Sequence, residues 1–181
     1  MKTIKSYIKE SLKINSKTKV NERPKYNYYP KTKRELQNLL KQLVKERGNE
    51  GDFNDIDTSE ITDMSNLFND IDKFNGDISY WNVSNVTNMV AMFSSSKFNG
   101  DISNWDVSNV TDMGAMFAGS SFNGDISNWD VSNVKKMSWM FQNSTKFNGD
   151  ISKWDVSNVT SMIRMFENCP LEKNLPKWYK E

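Results

Sequence analysis

From Phe74 onward the apolar residues of this chain return at fixed intervals. FNGDISNWDVSNV stands at 98–110 and again at 122–134, with near copies at 74 (FNGDISYWNVSNV) and 147 (FNGDISKWDVSNV), so the steps are 24, 24 and 25 residues. In the unit spanning 98–121 the apolar positions are Phe98, Ile102, Trp105, Val107, Val110, Met113, Met116 and Phe117, and neighbouring units carry the same types at the same offsets. Such a period predicts a solenoid of stacked coils. One unit is too small to bury its own apolar side chains and needs a neighbour on each side.

Within the unit, Ile102-x-x-Trp105-x-Val107 ends in alternation and predicts a short parallel strand. Val110, Met113 and Phe117 then fall at i, i+3 and i+7, the spacing of a short helix that Thr111 or Asp112 would cap. Phe98-Asn99-Gly100-Asp101 reads as the turn back to the next strand. An alternative places the strand at NVTDM.

The outer copies are degenerate. GDFNDIDTSEITDMSNLF (51–68) aligns with GDISYWNVSNVTNMVAMF (76–93), and LEKNLPKW (171–178) with FNGDISKW (147–154). Pro176 should stop further pairing. Ahead of the coils, Thr32 and Glu35 form a capping box, Leu36, Leu39, Leu40, Leu43 and Val44 make one stripe, and Gly48 ends the pattern. An amphipathic helix over the first coil is expected. Three regions follow: a basic arm and linker (1–31), a capping helix (32–48) and the repeats (49–181). Residues 15–31 read as linker, and residues 3–14 as a short basic helix with Ile4, Tyr7, Ile8 and Leu12 on one side.

Charge divides along the same boundary. Residues 1–50 carry 14 Lys/Arg against 5 Asp/Glu, whereas 51–181 carry 10 against 18, so a basic arm precedes an acidic body. With no histidine and one cysteine, Cys169, the chain can form no internal disulfide and no metal site of imidazoles or several thiolates. MKTIKSYIKESLKI has no continuous apolar run, so no secretory signal is expected, and no segment has the length of a membrane span. These features predict a soluble, cytoplasmic chain that is not exported by a standard signal.

The pattern I-x-x-W-x-V-S-N-V-x-x-M-x-x-M-F followed by FNGD resembles the BspA-like leucine-rich repeats of bacterial surface proteins, across about residues 49–181. That resemblance implies an α/β, right-handed, leucine-rich-repeat-like solenoid of about five 24–25-residue coils, with adhesion or protein binding as its work. The opening MKTIKSYIKESL looks like the short leaders of tailed-phage virion proteins, which implies a virion-associated or assembly component anchored through its basic arm.

Two aspartate columns (Asp77, Asp101, Asp125, Asp150 and Asp106, Asp130, Asp155) admit a calcium ladder or turn-amide acceptors. A single glycine in each turn favours the acceptors, and no cofactor is expected. Asn85, Asn109, Asn133 and Asn158 predict a buried or half-buried asparagine ladder. The column Trp81, Trp105, Trp129, Trp154 reads as core more readily than as a sugar platform. No nucleophile elbow, phosphate loop or histidine base is present, so no enzymatic activity is expected.

A protein partner is the expectation, with an acidic partner for the arm. Nucleic acid is disfavoured by the acidic body despite Tyr26, Tyr28 and Tyr29 among lysines. Partner-specific information must sit where the units differ. Those positions single out Trp139, whose counterparts are Ala91, Ala115 and Arg164, flanked by Lys135, Lys136 and Arg164, together with Tyr80; the alternative is that Trp139 packs over a coil edge widened by the extra residue of its 25-residue unit.

Overall fold

The structure, a computed structural model, describes residues 25–71 and 73–180. The proposed helix at 3–14 and most of the basic arm lie outside the described residues. The first element, α1 (Lys33–Arg47), is the only α-helix among the described residues. Thr32 caps it by accepting the Glu35 N–H, while the Glu35 carboxylate receives the Lys31 N–H at 2.7 Å instead of the Thr32 N–H. Leu36, Leu40 and Leu43 are fully buried against the first repeat. Residues from the expected linker also dock there: Tyr28 forms a parallel bridge to Ile56, and Pro30 is buried.

The repeats themselves correct the expected architecture. Among the described residues they contain neither a strand nor an α-helix; isolated parallel bridges join Asp63, Asn88, Asp112, Lys136 and Ser161 in sequence. The chain is therefore not an α/β solenoid of strand–helix coils of the leucine-rich-repeat kind. Those bridges fall within NVTDM and its equivalents, yet each is a single contact.

The cause lies in where the backbone donors go. Asp101-Ile-Ser-Asn-Trp105 and Asp106-Val-Ser-Asn-Val110 are tandem five-residue turns. In each, the aspartate Oδ1 accepts the N–H two residues on (3.0 and 3.1 Å). The next residue's carbonyl then accepts the N–H that closes the turn, Trp105 to Ile102 at 3.2 Å and Val110 to Val107 at 2.9 Å. Asp112 opens a third such turn, accepting from Gly114 at 3.0 Å while Met116 N–H returns to Met113 at 3.2 Å.

From Met113 to Ser120 the donors then alternate. Met113, Ala115, Phe117 and Gly119 donate to carbonyls of the next repeat, whereas Met116, Ala118 and Ser120 donate within their own. Half the groups a strand would share are spent on local turns. Half those a helix would keep are given to the neighbour. Neither regular element can form.

What the turns achieve is an apolar interior. Ile102, Trp105, Val107, Val110, Met113, Met116 and Phe117 are all buried, as are their counterparts in the flanking repeats. Phenylalanines form a continuous column, with Phe117 stacked on Phe122 at 4.3 Å, Phe93 at 5.7 Å and Phe141 at 5.6 Å. Each core tryptophan donates its indole N–H to the preceding repeat, Trp81 to Phe53, Trp105 to Ile78, Trp129 to Ile102 and Trp154 to Ile126, and the partly buried Trp178 does the same to Ile151. The FNGD glycines allow close approach, since a Cβ at Gly100 would lie 2.8 Å from the Phe98 ring.

Two asparagine ladders run outside this core. Asn85, Asn109, Asn133 and Asn158 donate their side-chain amides to serine carbonyls of the preceding repeat, and they are exposed, not buried. In the second ladder Asn75, Asn99 and Asn123 each accept the backbone N–H of the next FNGD asparagine.

Candidate functional site

The positions that differ between repeats lie mostly along one strip. Residues 135–139 run beside 160–164: Thr160 N–H donates to Lys135 C=O at 2.8 Å, Met137 N–H to Ser161 C=O at 2.9 Å and Trp139 N–H to Ile163 C=O at 2.9 Å. This pairing brings Trp139, Lys135, Lys136 and Arg164 together across two repeats. Tyr80 does not join them. It is 63% exposed, but it belongs to the Asp77–Trp81 turn, where its N–H donates to Asn54 Oδ1.

Trp139 is 43% exposed, and Ile163 beside it is 59% exposed. Asn66, Ala91, Ala115, Trp139 and Arg164 occupy one column in which every residue is left-handed, with φ between +52° and +59°. Asparagine tolerates that region, but a bulky aromatic is strained there. Towards the N-terminus the strip is lined by small side chains, Val90 and Ala91, then Gly114 and Ala115. It rises to Trp139, Ile163 and Arg164 near the C-terminal end. Lys136 is exposed, its Nζ 3.3 Å from Asp112 Oδ2, so part of its charge is met within the strip.

Sequence reasoning passed over Ile163. The signal was present, because its counterparts Val90, Gly114 and Ser138 share no common type. Exposed Trp139 and Ile163 therefore sit on backbone-paired rows that also carry Lys135 and Arg164. Aromatic anchors with basic neighbours recur at protein interfaces.

The aspartate columns engage amides. Asp101, Asp125 and Asp150 accept the N–H of Ser103, Ser127 and Ser152 at 2.9–3.0 Å, and Asp106, Asp130 and Asp155 those of Ser108, Ser132 and Ser157 at 3.0–3.1 Å. Among the described residues no group of three or more His, Cys, Asp or Glu side chains is arranged to hold a metal ion. Thermal melts recorded with excess calcium and with chelator are expected to coincide. A rise of more than about 5 °C on adding calcium would show that the columns bind it.

The same bonds create a pH dependence. Backbone N–H bonds from serine hold the carboxyls of Asp125, Asp150 and Asp155 below the usual carboxylate range; for Asp130 the Ser132 hydroxyl is the larger cause. Asp55 is lowered chiefly by the Arg47 guanidinium that grips both its oxygens. A depressed folded-state value means stability that is complete above the unfolded pKa and lost as pH falls through the folded one. The melting temperature should therefore be level above about pH 5 and decline below about pH 4. A profile flat to about pH 2 would contradict a stabilising role for these turns.

A family model described as "Mycoplasma protein of unknown function, DUF285" matches residues 35–126 and again 96–180. No curated protein and no solved structure matches the chain.

Proposed function

The chain belongs to the DUF285 family, and from that premise we propose that it is a non-enzymatic, protein-binding repeat module whose variable strip engages a protein partner. The observation that carries the reading is Trp139. A tryptophan held half-exposed in a left-handed conformation, where Ala91 and Ala115 serve the fold equally well, answers no demand of the core.

Lys135 and Arg164 supply cations beside the indole, and Ile163 extends its apolar area. The absence of histidine from the whole sequence supports the non-enzymatic side of the proposal. Relationship to the BspA-like repeats of bacterial surface proteins is a finer reading, supported by the I-x-x-W-x-V-S-N-V-x-x-M-x-x-M-F pattern and consistent with protein binding. No helix among the described residues is long and apolar enough to cross a membrane.

The test is quantitative capture of a partner by the full chain and by Trp139→Ala. A partner bound by the first and retained unchanged by the second would refute the strip as the binding surface.

A further inference from the structure

The backbone of the stack is polar from end to end. In every interior repeat one row of N–H groups points towards the C-terminal end: Met113, Ala115, Phe117 and Gly119 donate to the carbonyls of Lys136, Ser138, Met140 and Gln142. One repeat on, Met137, Trp139, Phe141 and Asn143 donate to Ser161, Ile163, Met165 and Glu167. The corresponding row of the last repeat is Met162, Arg164, Phe166 and Asn168. The N–H groups of Met162, Arg164 and Phe166 have no partner among the described residues, and neither does the Thr160 carbonyl. Asn168 N–H does have one, and it is a carboxylate, Glu172 Oε2 at 3.1 Å.

The opposite end shows how this protein treats an exposed edge. There α1 and the residue before its cap bring cationic and amide donors to oxygens of the first repeat. Lys33 Nζ reaches Asp63 Oδ2 and Ser65 Oγ, both at 2.8 Å, and Lys41 Nζ reaches Asp70 Oδ2 at 2.7 Å. Gln37 donates to the Asn66 carbonyl, and Lys31 pairs with Glu60. Oxygen acceptors at one end are met by donors; the row of donors at the other end calls for oxygens.

We propose that the edge at residues 159–166 binds an extended acidic peptide segment of a protein partner. One acceptor at Thr160 followed by donors at Met162, Arg164 and Phe166 suits the main chain of an added strand. Arg164 and Lys180 line the same recess as Val159, Thr160, Ser161, Met162 and Ile163, so carboxylates on the segment meet cations. Apolar contact is available too, because Val159 and Met162 are only partly buried whereas their counterparts Val134 and Met137 are fully buried. A second copy joined tail to tail fits poorly, since it would set one row of donors against another. This inference rests on the chain being a binding module; it shares Arg164 and Ile163 with the Trp139 strip but not Trp139 itself, so Trp139→Ala and Lys180→Glu separate the two readings.

The experiment is an NMR titration of the ¹⁵N-labelled full chain with a capped peptide, acetyl-Glu-Val-Glu-Val-Glu-Val-amide, and with its lysine counterpart. The expected result is shifts centred on the amides of Met162, Arg164 and Phe166 with the glutamate peptide alone. Arg164→Glu, an exposed position, should weaken binding about tenfold, as loss of a charged hydrogen-bonding group does. Lys180→Glu should also weaken it, and Trp139→Ala should leave it unchanged. The proposal is overturned by an absence of shifts at these amides at millimolar peptide, by equal shifts with the lysine peptide, or by shifts confined to residues 135–139. Sedimentation showing the edge already occupied by a second copy would overturn it as well.

Discussion

Phe117→Ala is expected to lower stability by about 3–5 kcal/mol, the range for deleting a fully buried aromatic ring. Phe117 has no exposed surface and meets four rings: Phe122 at 4.3 Å, Phe141 at 5.6 Å, Phe93 at 5.7 Å and Trp129 at 6.3 Å. It joins the repeats on both sides, so its removal opens a cavity in the middle of the column. The backbone around it is held by bonds to the next repeat and by its own turns, which limits collapse into the gap. Phe166, the last member of its column, stacks on Phe141 at 6.0 Å, and its other ring contacts among the described residues are the tail residues Trp178 and Tyr179. Phe166→Ala should cost less, since a stack of repeats can fray at its end without losing the junctions further in. Urea denaturation of the two variants checks the ranking. A loss under about 1 kcal/mol for Phe117→Ala would mean that the neighbouring rings close over the gap and that the column is not what binds repeat to repeat.

That ranking could be drawn from the sequence, because burial followed from the period alone. Phe98, Ile102, Trp105 and Val107 recur at fixed offsets, and an apolar side chain that recurs above and below itself is packed. The helix over the first repeat was equally legible, since Thr32, Glu35, a leucine stripe and Gly48 are local signals. The path of the chain within a repeat was not. Ile102, Trp105 and Val107 suggested alternation, but the controlling period was five: Asp-Ile-Ser-Asn-Trp and Asp-Val-Ser-Asn-Val are the same turn written twice. An aspartate two residues ahead of a serine closes such a turn by itself, and that local bond outcompetes a strand ladder. The left-handed column was hidden for a different reason. Ala91, Ala115, Trp139 and Arg164 are not residues that announce positive φ, and only Asn66 hints at it. Conformation there is imposed by the bonds between repeats, which no single repeat's sequence displays. Of the residues singled out for binding, Trp139, Lys135, Lys136 and Arg164 could be grouped from their offsets. Tyr80 could not be separated from them without the turn geometry.

Trp139 carries the second large effect, and its two consequences are expected to diverge. Substitution by glycine should leave stability unchanged or raise it by up to about 1 kcal/mol, because glycine adopts φ near +60° without the steric cost that a side chain bears. Trp139→Ala should be nearly neutral, since Ala91 and Ala115 already occupy the equivalent place at φ +53°. Against a protein partner both variants should lose at least about 2 kcal/mol of affinity, the loss that marks an interface anchor. The local structure supports this separation. Trp139 holds its neighbours through its backbone, donating to Ile163 and accepting from Gln142, and both bonds survive any change of side chain. Its indole appears in none of the ring stacks that run through Phe93, Phe117, Phe141 and Phe166. If chemical denaturation instead shows either variant destabilised by about 3 kcal/mol or more, the indole is part of the packing between the last two repeats. The exposed surface at Ile163 and Arg164 would then have to carry binding alone.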